Sequence, residues 1–508
     1  SSFTGQRLGI MKRNSFPIEA LAPWARLNGV STHEVAFRKL QAEDGTDKGG
    51  AIVATGDILP SESGNEVSLE AQVLLKVPSD MILSYEMVEN HAKSDRYLRD
   101  VLDVLGDFGK TARGAILTFL LIQVTHSCPE FSDERHKIGV SNPWTEYVNF
   151  LPSEIPLPTF WTMEELELLR GTSLRLAYEA KILSLETEFD HLRQSTAEIL
   201  WCQEHWWDED TGKLTFDDWK YLDAAFRSRS VDLPGRGHSM VPCIDMANHA
   251  SESMVNALYE KDIHDNAILQ LRPGKGLHSG DEVTISYGAD KAASEMVFSY
   301  GFLDQERTDA KQLFLDLDIP EDDPLKRAKK AFCNEAPGVR IISNFVGSGE
   351  TKATWESPII WWACVNEEDG LEFTLLQTND GGNEVKVTWK EEELTSPNHL
   401  KDFLTADPSW DIFQLRAVVL ILERLETQFF VLQTTERMVS DIREDEDMRA
   451  IFRPDVFNAV TKLRELEGRL LEMAIKDLEN QRQELMMSEA VRTYLTQQQS
   501  TDIEEDFS

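Results

Sequence analysis

Apolar and polar positions form short runs in the first hundred residues and then change to a helical spacing. GGAIVATGDILP, residues 49–60, predicts a glycine turn leading into a strand, and AQVLLKVPSDMIL, residues 71–83, predicts a second strand that ends at Pro78. From about Val101 to Glu198 the pattern predicts helices. AILTFLLIQV has the composition of a buried helix, and Thr162, which precedes Glu164 and Glu165, is a suitable helix start.

Short strand-like segments return between residues 239 and 303, and the chain becomes helical again after about Asp304. SMVPCIDMANHA, AILQLRPGKGLHSGDEVTISYG and MVFSYGFL predict strands and turns, and PEDDPLKRAKKAF predicts a helix. Residues 357–389 predict a small β unit with NDGG as its hairpin turn, and PIIWWACV within it is too apolar for the surface. From Phe413 onward the spacing predicts long amphipathic helices of a bundle, followed by a loose acidic tail at 502–508.

The order of these elements is a β-rich part, a helical insert, a second β-rich part and a helical lobe. Two or more domains are expected for 508 residues. A β core divided by a helical insert differs from the doubly wound enzymes, in which strands and helices alternate. No GxGxxG opens a helix, so nothing indicates a dinucleotide-binding fold.

The net charge limits the classes of binding partner, and the cysteine content bears on metal sites, disulfides and cellular compartment. The 89 acidic and 51 basic residues give a formal net charge of -38, which repels nucleic acids and anionic membranes and attracts basic proteins. We therefore expect a basic protein segment as ligand, with no nucleic acid or membrane partner, and we expect a monomer. The five cysteines are scattered and none forms a CxxC pair, which predicts neither a zinc ribbon nor a disulfide framework and favours the cytoplasm, the nucleus or both.

Four stretches together resemble one known family. DMANHA, residues 245–250, and EVTISYGADKAASEMVFSYGFL, residues 282–303, resemble the C-terminal half of a SET methyltransferase domain. NPWTEYVNFLPSEIPLPTFWTMEELELLRGTSL, residues 142–174, resembles the helical insert of one branch of that family, and PIEALAPWARLNGV, residues 17–30, resembles its first segment. That branch contains the plant Rubisco large-subunit lysine methyltransferase and similar methyltransferases of non-histone proteins.

The resemblance implies an α+β fold, with a SET-domain β core that has a knot-like C-terminal segment and a helical insert, followed by a mostly α-helical C-terminal lobe. It places the SET domain at 17–305, with the insert at about 101–225. It places a substrate-binding lobe at 306–500. Within this lobe the sequence predicts a small β insert at about 355–392, and an acidic tail follows at 501–508. The motifs carry the resemblance over 17–305, whereas 306–508 match in helical character alone, and the β insert has no counterpart in the family.

The resemblance also implies S-adenosyl-L-methionine as cofactor, S-adenosyl-L-homocysteine as product, no metal, and roles for individual residues. Tyr287 in ISYG matches the catalytic tyrosine. The residues implied to contact the cofactor are Gly49, Gly50, Ala51, Ser228, Arg229, Asp245, Asn248, His249 and Tyr300. The residues implied to line the substrate channel are Ile285, Tyr287, Tyr300 and Phe302.

Each motif also has a simpler interpretation when it is taken alone. These interpretations are a turn with a core histidine for Asn248 and His249, a strand tyrosine for Tyr287, an aromatic core for Tyr300 and a turn cap for Asp245. Arg227 competes with Arg229 for the role of pairing with the cofactor carboxylate. The occurrence of all the motifs in one chain favours the methyltransferase site.

Methyl transfer to lysine needs a neutral amine in line with the methyl group, although lysine is mostly protonated at neutral pH. A narrow apolar channel lowers the pKa of an entering ammonium group by desolvation, and the tyrosine hydroxyl orients the amine. The resemblance therefore implies an S-adenosylmethionine-dependent protein-lysine N-methyltransferase that acts on a lysine-containing basic segment of a non-histone protein.

Two alternatives remain open. One member of the branch methylates histidine, and Ile244 stands where that member has tryptophan, which favours lysine. The second alternative is a non-catalytic SET-like protein that binds a partner. It is suggested by Ala51, where the family usually has glycine, and by Ala293, where it often has asparagine.

Overall fold

The computed structural model describes residues 10–41, 47–60, 72–131 and 142–506. The chain forms two compact units. Unit 1 consists of the residues up to 161, 178–289 and 299–306, and unit 2 consists of 162–177, 290–298 and 307–508. Both units are therefore built from chain segments that are separated in sequence.

Strands occur in both units. They are β1 (Ser31–Thr32), β2 (Val35–Gln41), β3 (Asp47–Ala54), β4 (Val73–Val77), β5 (Val231–Leu233), β6 (Gly237–Ser239), β7 (Asn248–His249), β8 (Ala257–Lys261), β9 (Ala267–Leu271), β10 (Glu282–Ile285), β11 (Gln312–Leu315), β12 (Val339–Val346), β13 (Glu350–Glu356), β14 (Leu371–Gln377), β15 (Asn383–Trp389) and β16 (Glu392–Glu393).

Helices fill much of the remaining chain. They are α1 (Leu21–Leu27), α2 (Tyr85–Ala92), α3 (Arg96–Leu105), α4 (Ala112–Ser127), α5 (Pro143–Tyr147), α6 (Met163–Glu167), α7 (Ser173–Thr196), α8 (Leu200–Cys202), α9 (Phe216–Arg229), α10 (Ala293–Tyr300), α11 (Lys326–Cys333), α12 (Pro358–Cys364), α13 (His399–Thr405), α14 (Trp410–Glu444), α15 (Glu446–Arg449), α16 (Pro454–Met486) and α17 (Glu489–Asp506).

Unit 1 contains two four-stranded sheets, with the strand orders β1-β4-β9-β8 and β2-β3-β10-β7, and the hairpin β5-β6. The pairs in these sheets are antiparallel except for β7 and β10, which run parallel with Asn248 opposite Thr284 and His249 opposite Ile285. The predicted strand that ends at Pro78 is β4, and its side chains Leu74 and Leu75 are fully buried. This core is closed by α4, whose residues from Gly114 to Thr125 are all buried, as its apolar sequence predicts.

The predicted glycine turn at 49–50 is wrong in its local geometry. Both glycines lie inside β3, where the pairing with β2 shifts register between Lys39 and Gln41. Gly49 has φ +81°, a conformation that favours glycine, so it accommodates this bulge. Ala51 follows it as a fully buried strand residue opposite Arg38, so the chain passes from the bulge directly into a regular ladder.

Unit 2 contains the sheets β11-β12-β13 and β14-β15-β16 together with the long helices α14 and α16, which confirm the helices predicted after Phe413. Segment 162–177 belongs to this unit. Thr162 and Glu165 form a capping box at the start of α6, as the sequence predicts, and the fully buried Glu165 carboxylate also accepts from the Arg453 guanidinium at 2.6 Å. Arg464 of α16 donates to the carbonyl of Leu168 at 3.0 Å.

Three predicted elements of the later chain have a different structure. PIIWWAC forms α12 instead of a strand, although its burial confirms that the segment packs inside. Residues 293–300 form α10 instead of strand and turn. The predicted loose tail is helical through Asp506, the last residue of α17, while Phe507 and Ser508 lie outside the described residues. None of the helices that the structure describes is both long and apolar enough to cross a membrane.

Candidate active site

The stretch DMANHA begins with one turn of 3-10 helix, Ile244–Met246, and then enters β7. The parallel pairing of β7 with β10 places Asn248 and His249 beside the strand that leads to Tyr287. The Asn248 amide donates to the Gly50 carbonyl at 3.2 Å and to the Glu282 carboxylate at 2.7 Å. Asn248 therefore ties β7 to its neighbour β10 and also to β3, the next strand of the sheet.

Both ring nitrogens of His249 are used within unit 1. Its Nδ1 accepts the Tyr287 backbone N–H at 3.0 Å, so the proton of the neutral ring lies on Nε2, which donates to the Asp304 carboxylate at 3.0 Å. The His249 side chain is 5% exposed. Any contact that His249 makes with a cofactor therefore involves its main chain or ring face.

The Tyr287 hydroxyl donates to the carbonyl of Ala247 at 2.7 Å. Burial raises the pKa of this phenol above its ordinary value, and the nearby charge of Arg229 only partly opposes the shift. Tyr287 is consequently neutral at physiological pH. It can act as a hydrogen-bond donor and acceptor but not as a phenolate base.

Three rings lie close to the ring of Tyr287. Tyr287 and Tyr300 lie 4.6 Å apart between centroids at an interplanar angle of 35°, and Phe302 lies 6.3 Å from each of them. The His249 ring is 5.2 Å from Tyr287. Together the four rings form an aromatic wall that carries the hydroxyl groups of Tyr287 and Tyr300, an arrangement that restricts water.

Arg229 forms a buried ion pair at the end of α9. Its Nε lies 3.2 Å from the Asp245 carboxylate, which also accepts the Tyr147 hydroxyl at 2.6 Å. Burial opposes the charge on Arg229, but Asp245 beside it outweighs burial and raises the guanidinium pKa. Arg229 is thus a fixed cation that Asp245 and Tyr147 hold in place.

Met246 connects this ion pair to β3. Its Sδ accepts from the Arg229 guanidinium at 3.4 Å. A Cβ on Gly50 would lie 2.2 Å from the Met246 Cε, so glycine at 50 is what lets the methionine approach the strand.

The structure brings the predicted site residues into one part of unit 1. Gly50 contacts Asn248, Arg229 pairs with Asp245, Ile285 pairs in register with His249, and Tyr287, Tyr300 and Phe302 share the aromatic wall. Gly49 and Ala51 flank Gly50 in β3. The roles in cofactor and substrate binding stay predictions.

Two side chains at the end of α9 point away from this cluster. The Ser228 hydroxyl donates to the Ala224 carbonyl of its own helix at 2.7 Å. Arg227 lies 3.2 Å from Asp223, a fully buried carboxylate that also holds Arg113 and Lys181. Burial alone would raise the pKa of Asp223, but these three cations outweigh it and lower the pKa. Of the two competing arginines, Arg229 is the one in the site.

Sequence reasoning did not select four residues that complete the cluster. These are Tyr147, Met246, Glu282 and Asp304. Three of them lie within quoted motif stretches, and Asp304 directly follows one, so the motifs could have indicated the right segments. Their partners are distant in sequence and are set by tertiary packing, however: Tyr147 of α5 is 98 positions from Asp245, and His249 is 55 from Asp304.

Neither a metal cluster nor a disulfide occurs in this part of the molecule. Within the described residues no three His, Cys, Asp or Glu side chains are placed to hold a metal ion. The five cysteines are all buried free thiols. The chemistry available at the site is that of a neutral phenol, a fixed guanidinium, an amide and apolar walls.

Comparison with known proteins identifies relatives of two kinds. No family model matches the chain. The chain is 30% identical over 283 residues to SET domain-containing protein 8 of Schizosaccharomyces pombe, a match that covers 55% of this chain and 61% of the relative. It is 28% identical over 200 residues to the chloroplastic fructose-bisphosphate aldolase-lysine N-methyltransferase of Arabidopsis thaliana, covering 37% of this chain and 39% of the relative.

A more distant relative has a different acceptor in its name. The actin-histidine N-methyltransferase of Gallus gallus is 22% identical over 406 residues, covering 73% of this chain and 58% of the relative. The chain thus spans less than two thirds of the length of each of these curated relatives.

Solved structures share the fold. The SET domain of LSMT bound to methyllysine and AdoHcy matches with a TM-score of 0.61 at 19% identity, covering 93% of this chain and 94% of that chain. The chain therefore has the SET-domain fold, and the α+β class with a helical C-terminal part is confirmed. The resemblance drawn from the motifs is confirmed as well, since the homologues are SET domain-containing proteins and methyltransferases of the Rubisco type.

Proposed function

We propose that this protein is an S-adenosylmethionine-dependent protein-lysine N-methyltransferase that acts on a basic segment of a non-histone protein. The observation that carries the proposal is the neutral Tyr287 hydroxyl, fixed on the Ala247 carbonyl inside the aromatic wall and next to β7. Relatives named as methyltransferases support the reaction class. The acidic net charge of -38 supports a basic substrate.

The residues beside Asn248 fit the proposed cofactor. S-adenosylmethionine supplies a methyl group on a sulfonium, together with a carboxylate, an amino group and an adenine. The fixed Arg229 cation suits the carboxylate, and the Asn248 side chain suits the polar ends. Gly50 keeps the adjacent strand free of a side chain that would displace Met246.

The substrate lysine would lose its proton on entering the channel beside the aromatic wall, because desolvation disfavours the ammonium form. Tyr287 and Tyr300 would exclude water and hold the amine in one orientation, and orientation of this kind contributes much of the rate in transfer reactions. Since Tyr287 stays neutral, the proton leaves to solvent and not to the phenol.

Histidine is the second candidate acceptor, because actin-histidine methyltransferases are among the relatives. Lysine is preferred for two reasons. The relative at 28% identity is named as a lysine methyltransferase, whereas the actin-histidine methyltransferase is 22% identical. The buried Ile244 also occupies the position at which the resemblance places tryptophan in the histidine-modifying member.

Calorimetric titration with S-adenosylmethionine tests the cofactor site. We expect a Kd on the order of micromolar, weakened at least about tenfold by Asn248→Ala. The matched control Asn458→Ala, which removes an exposed amide in α16, should bind like the wild type. Absence of binding at millimolar cofactor would overturn the proposed methyltransferase activity. The remaining interpretation would be a non-catalytic SET-like protein that binds a partner.

Transfer of labelled methyl groups to proteins of a cell extract tests the chemistry. Tyr287→Phe should bind the cofactor within about threefold of wild type yet lose roughly a hundredfold or more in transfer, because only the positioned hydroxyl is removed. Peptides of the labelled acceptor with lysine replaced by arginine, or histidine by glutamine, then identify the methylated residue. If labelling is lost only in the peptide whose histidine is replaced by glutamine, the methyl acceptor is histidine and not lysine.

A further inference from the structure

A cleft in unit 2 is lined by tryptophans that the proposed reaction does not use. It has a volume of about 590 Å³. Trp355 of β13, Trp361 of α12 and Trp410 at the start of α14 form its aromatic side, which we call the tryptophan ladder. Trp361 is buried, whereas Trp355 and Trp410 are half-buried, so the ladder is open to solvent at its two outer rings.

The rings of the ladder are close together and tilted relative to one another. Trp361 lies 5.7 Å from Trp355 at 38° and 4.9 Å from Trp410 at 36°, measured between ring centroids. At these angles each neighbouring pair of rings is closer to parallel than to the perpendicular walls of a closed cage. A flat group with delocalised charge fits against them better than a spherical one.

A cation already lies on the ladder. The Lys401 ammonium is 5.8 Å from the centre of the Trp361 ring, within the range of a cation–π contact. Lys401 is exposed, and among the residues that the structure describes no carboxylate forms a salt bridge with it. Within the described residues, no salt bridge therefore competes with the ring for this ammonium group.

Carboxylates border the same cleft. Glu335 and Glu356 line it and are exposed, and Lys401 is the one basic side chain among its described lining residues. Two carboxylates beside an aromatic face attract cations and repel anions, and the acidic chain as a whole acts in the same direction.

We propose that this cleft binds an arginine side chain of a basic protein segment, with the guanidinium stacked on the tryptophan ladder and paired with Glu335 or Glu356. Arginine fits better than lysine because its guanidinium is planar, weakly hydrated and able to bind a carboxylate through two N–H groups. The bound arginine takes the place of Lys401, whose exposed side chain is free to move away. The proposal does not depend on methyl transfer, since binding is measured without cofactor.

Fluorescence polarisation of the full chain with a labelled arginine–glycine peptide tests the site. Peptides with lysine or with uncharged citrulline in place of arginine serve as ligand controls. We expect the arginine peptide to bind at least about fivefold more tightly than the lysine peptide, and the citrulline peptide to bind not at all. Failure of the arginine peptide to bind at about 1 mM, or equal binding of arginine and lysine, would overturn the proposal.

Charge-matched variants separate the cleft from general attraction by an acidic protein. The double change Glu335→Gln and Glu356→Gln should weaken the arginine peptide about tenfold, whereas Glu392→Gln with Glu393→Gln, two exposed glutamates of β16, should change it less than about twofold. If both double variants weaken peptide binding equally, the attraction is a general effect of the acidic protein, and the proposed arginine site in the cleft is wrong.

Lys401 supplies the reverse test. Removing it by Lys401→Ala vacates the ring, so the arginine peptide should bind about threefold to fivefold more tightly. The same loss of one positive charge in Lys275→Ala, an exposed lysine of unit 1, should leave the affinity within about twofold. If the two lysine variants bind alike, the ladder is not the cation site. If the proposed methyltransferase function is wrong, methyl transfer is absent but these differences in peptide binding persist.

Discussion

His249 shows how a residue next to the chemistry can act entirely through its neighbours. Its two ring nitrogens are taken by the Tyr287 N–H and by Asp304. The ring therefore fixes the backbone from which the Tyr287 side chain extends, and Asp304 fixes the ring. The ring of His249 therefore positions Tyr287, and the contact of His249 with a cofactor stays a prediction.

Asp304 should be needed for its acceptor oxygen and not for its charge. Asp304→Leu leaves the His249 Nε2–H without its partner, which we expect to cost roughly 1–3 kcal/mol in the free energy of unfolding and about tenfold in kcat. Asp304→Asn keeps an acceptor and should retain most of both. Urea unfolding and initial rates check this, and asparagine as damaging as leucine would refute it.

The sequence predicts the site residues whose identity is tied to a motif, and it misses those whose partners are distant. Asn248, His249 and Tyr287 are recognisable because their residue types stand in short fixed patterns. Tyr147 and Asp304 are ordinary residues in the printed sequence. They become part of the site only when tertiary packing brings Asp245 and His249 next to them.

At the scale of elements, segments with a clear period were predicted correctly, whereas of the two dense apolar runs AILTFLLIQV was predicted correctly and PIIWWAC was not. The spacing of apolar residues in α14 is typical of a helix alone, and NDGG between β14 and β15 is typical of a hairpin turn alone. PIIWWAC is apolar at nearly every position, so periodicity cannot distinguish a buried strand from a buried helix. Pro358 in the first turn of α12 was the available signal for a helix.

The attachment of segment 162–177 to α16 predicts a pH-dependent stability of unit 2. Burial raises the pKa of Glu467 to about 7, although the hydrogen bonds from Ser173 oppose this. An unfolded glutamate titrates near ~4.3. The folded state thus binds the proton more tightly, and this contribution to the free energy of unfolding is complete below ~4.3 and is lost as the pH rises through about 7.

Glu467→Gln should remove that dependence, because the amide does not ionise and can still accept from Ser173. We expect the fall in unfolding free energy between about pH 5 and pH 8 to shrink by on the order of 2–3 kcal/mol, measured by urea unfolding. Glu465→Gln, an exposed change on the same helix, is the control and should leave the slope unchanged. An unaltered slope in Glu467→Gln would contradict the assignment.

At the scale of the whole molecule, the excess of 89 acidic over 51 basic residues predicts salt-sensitive substrate binding. The KM for a basic acceptor peptide should rise several-fold between about 50 and 200 mM salt while kcat stays constant, because screening weakens encounter and not the chemistry. Steady-state kinetics check this. The same peptide with its flanking basic residues replaced by glutamine should show a KM that is independent of salt, and an equal rise in both would argue against charge attraction.

The division of each unit among separate chain segments has a consequence for synthesis on the ribosome. Glu165 is made 288 positions before Arg453, its partner within unit 2. At roughly 5–20 residues per second, the segment around Glu165 waits about 15 to 60 seconds before its partner helix exists. During that interval a carboxylate that ends up fully buried has no guanidinium to pair with. The nascent chain must keep this stretch hydrated or held by a chaperone until α16 emerges.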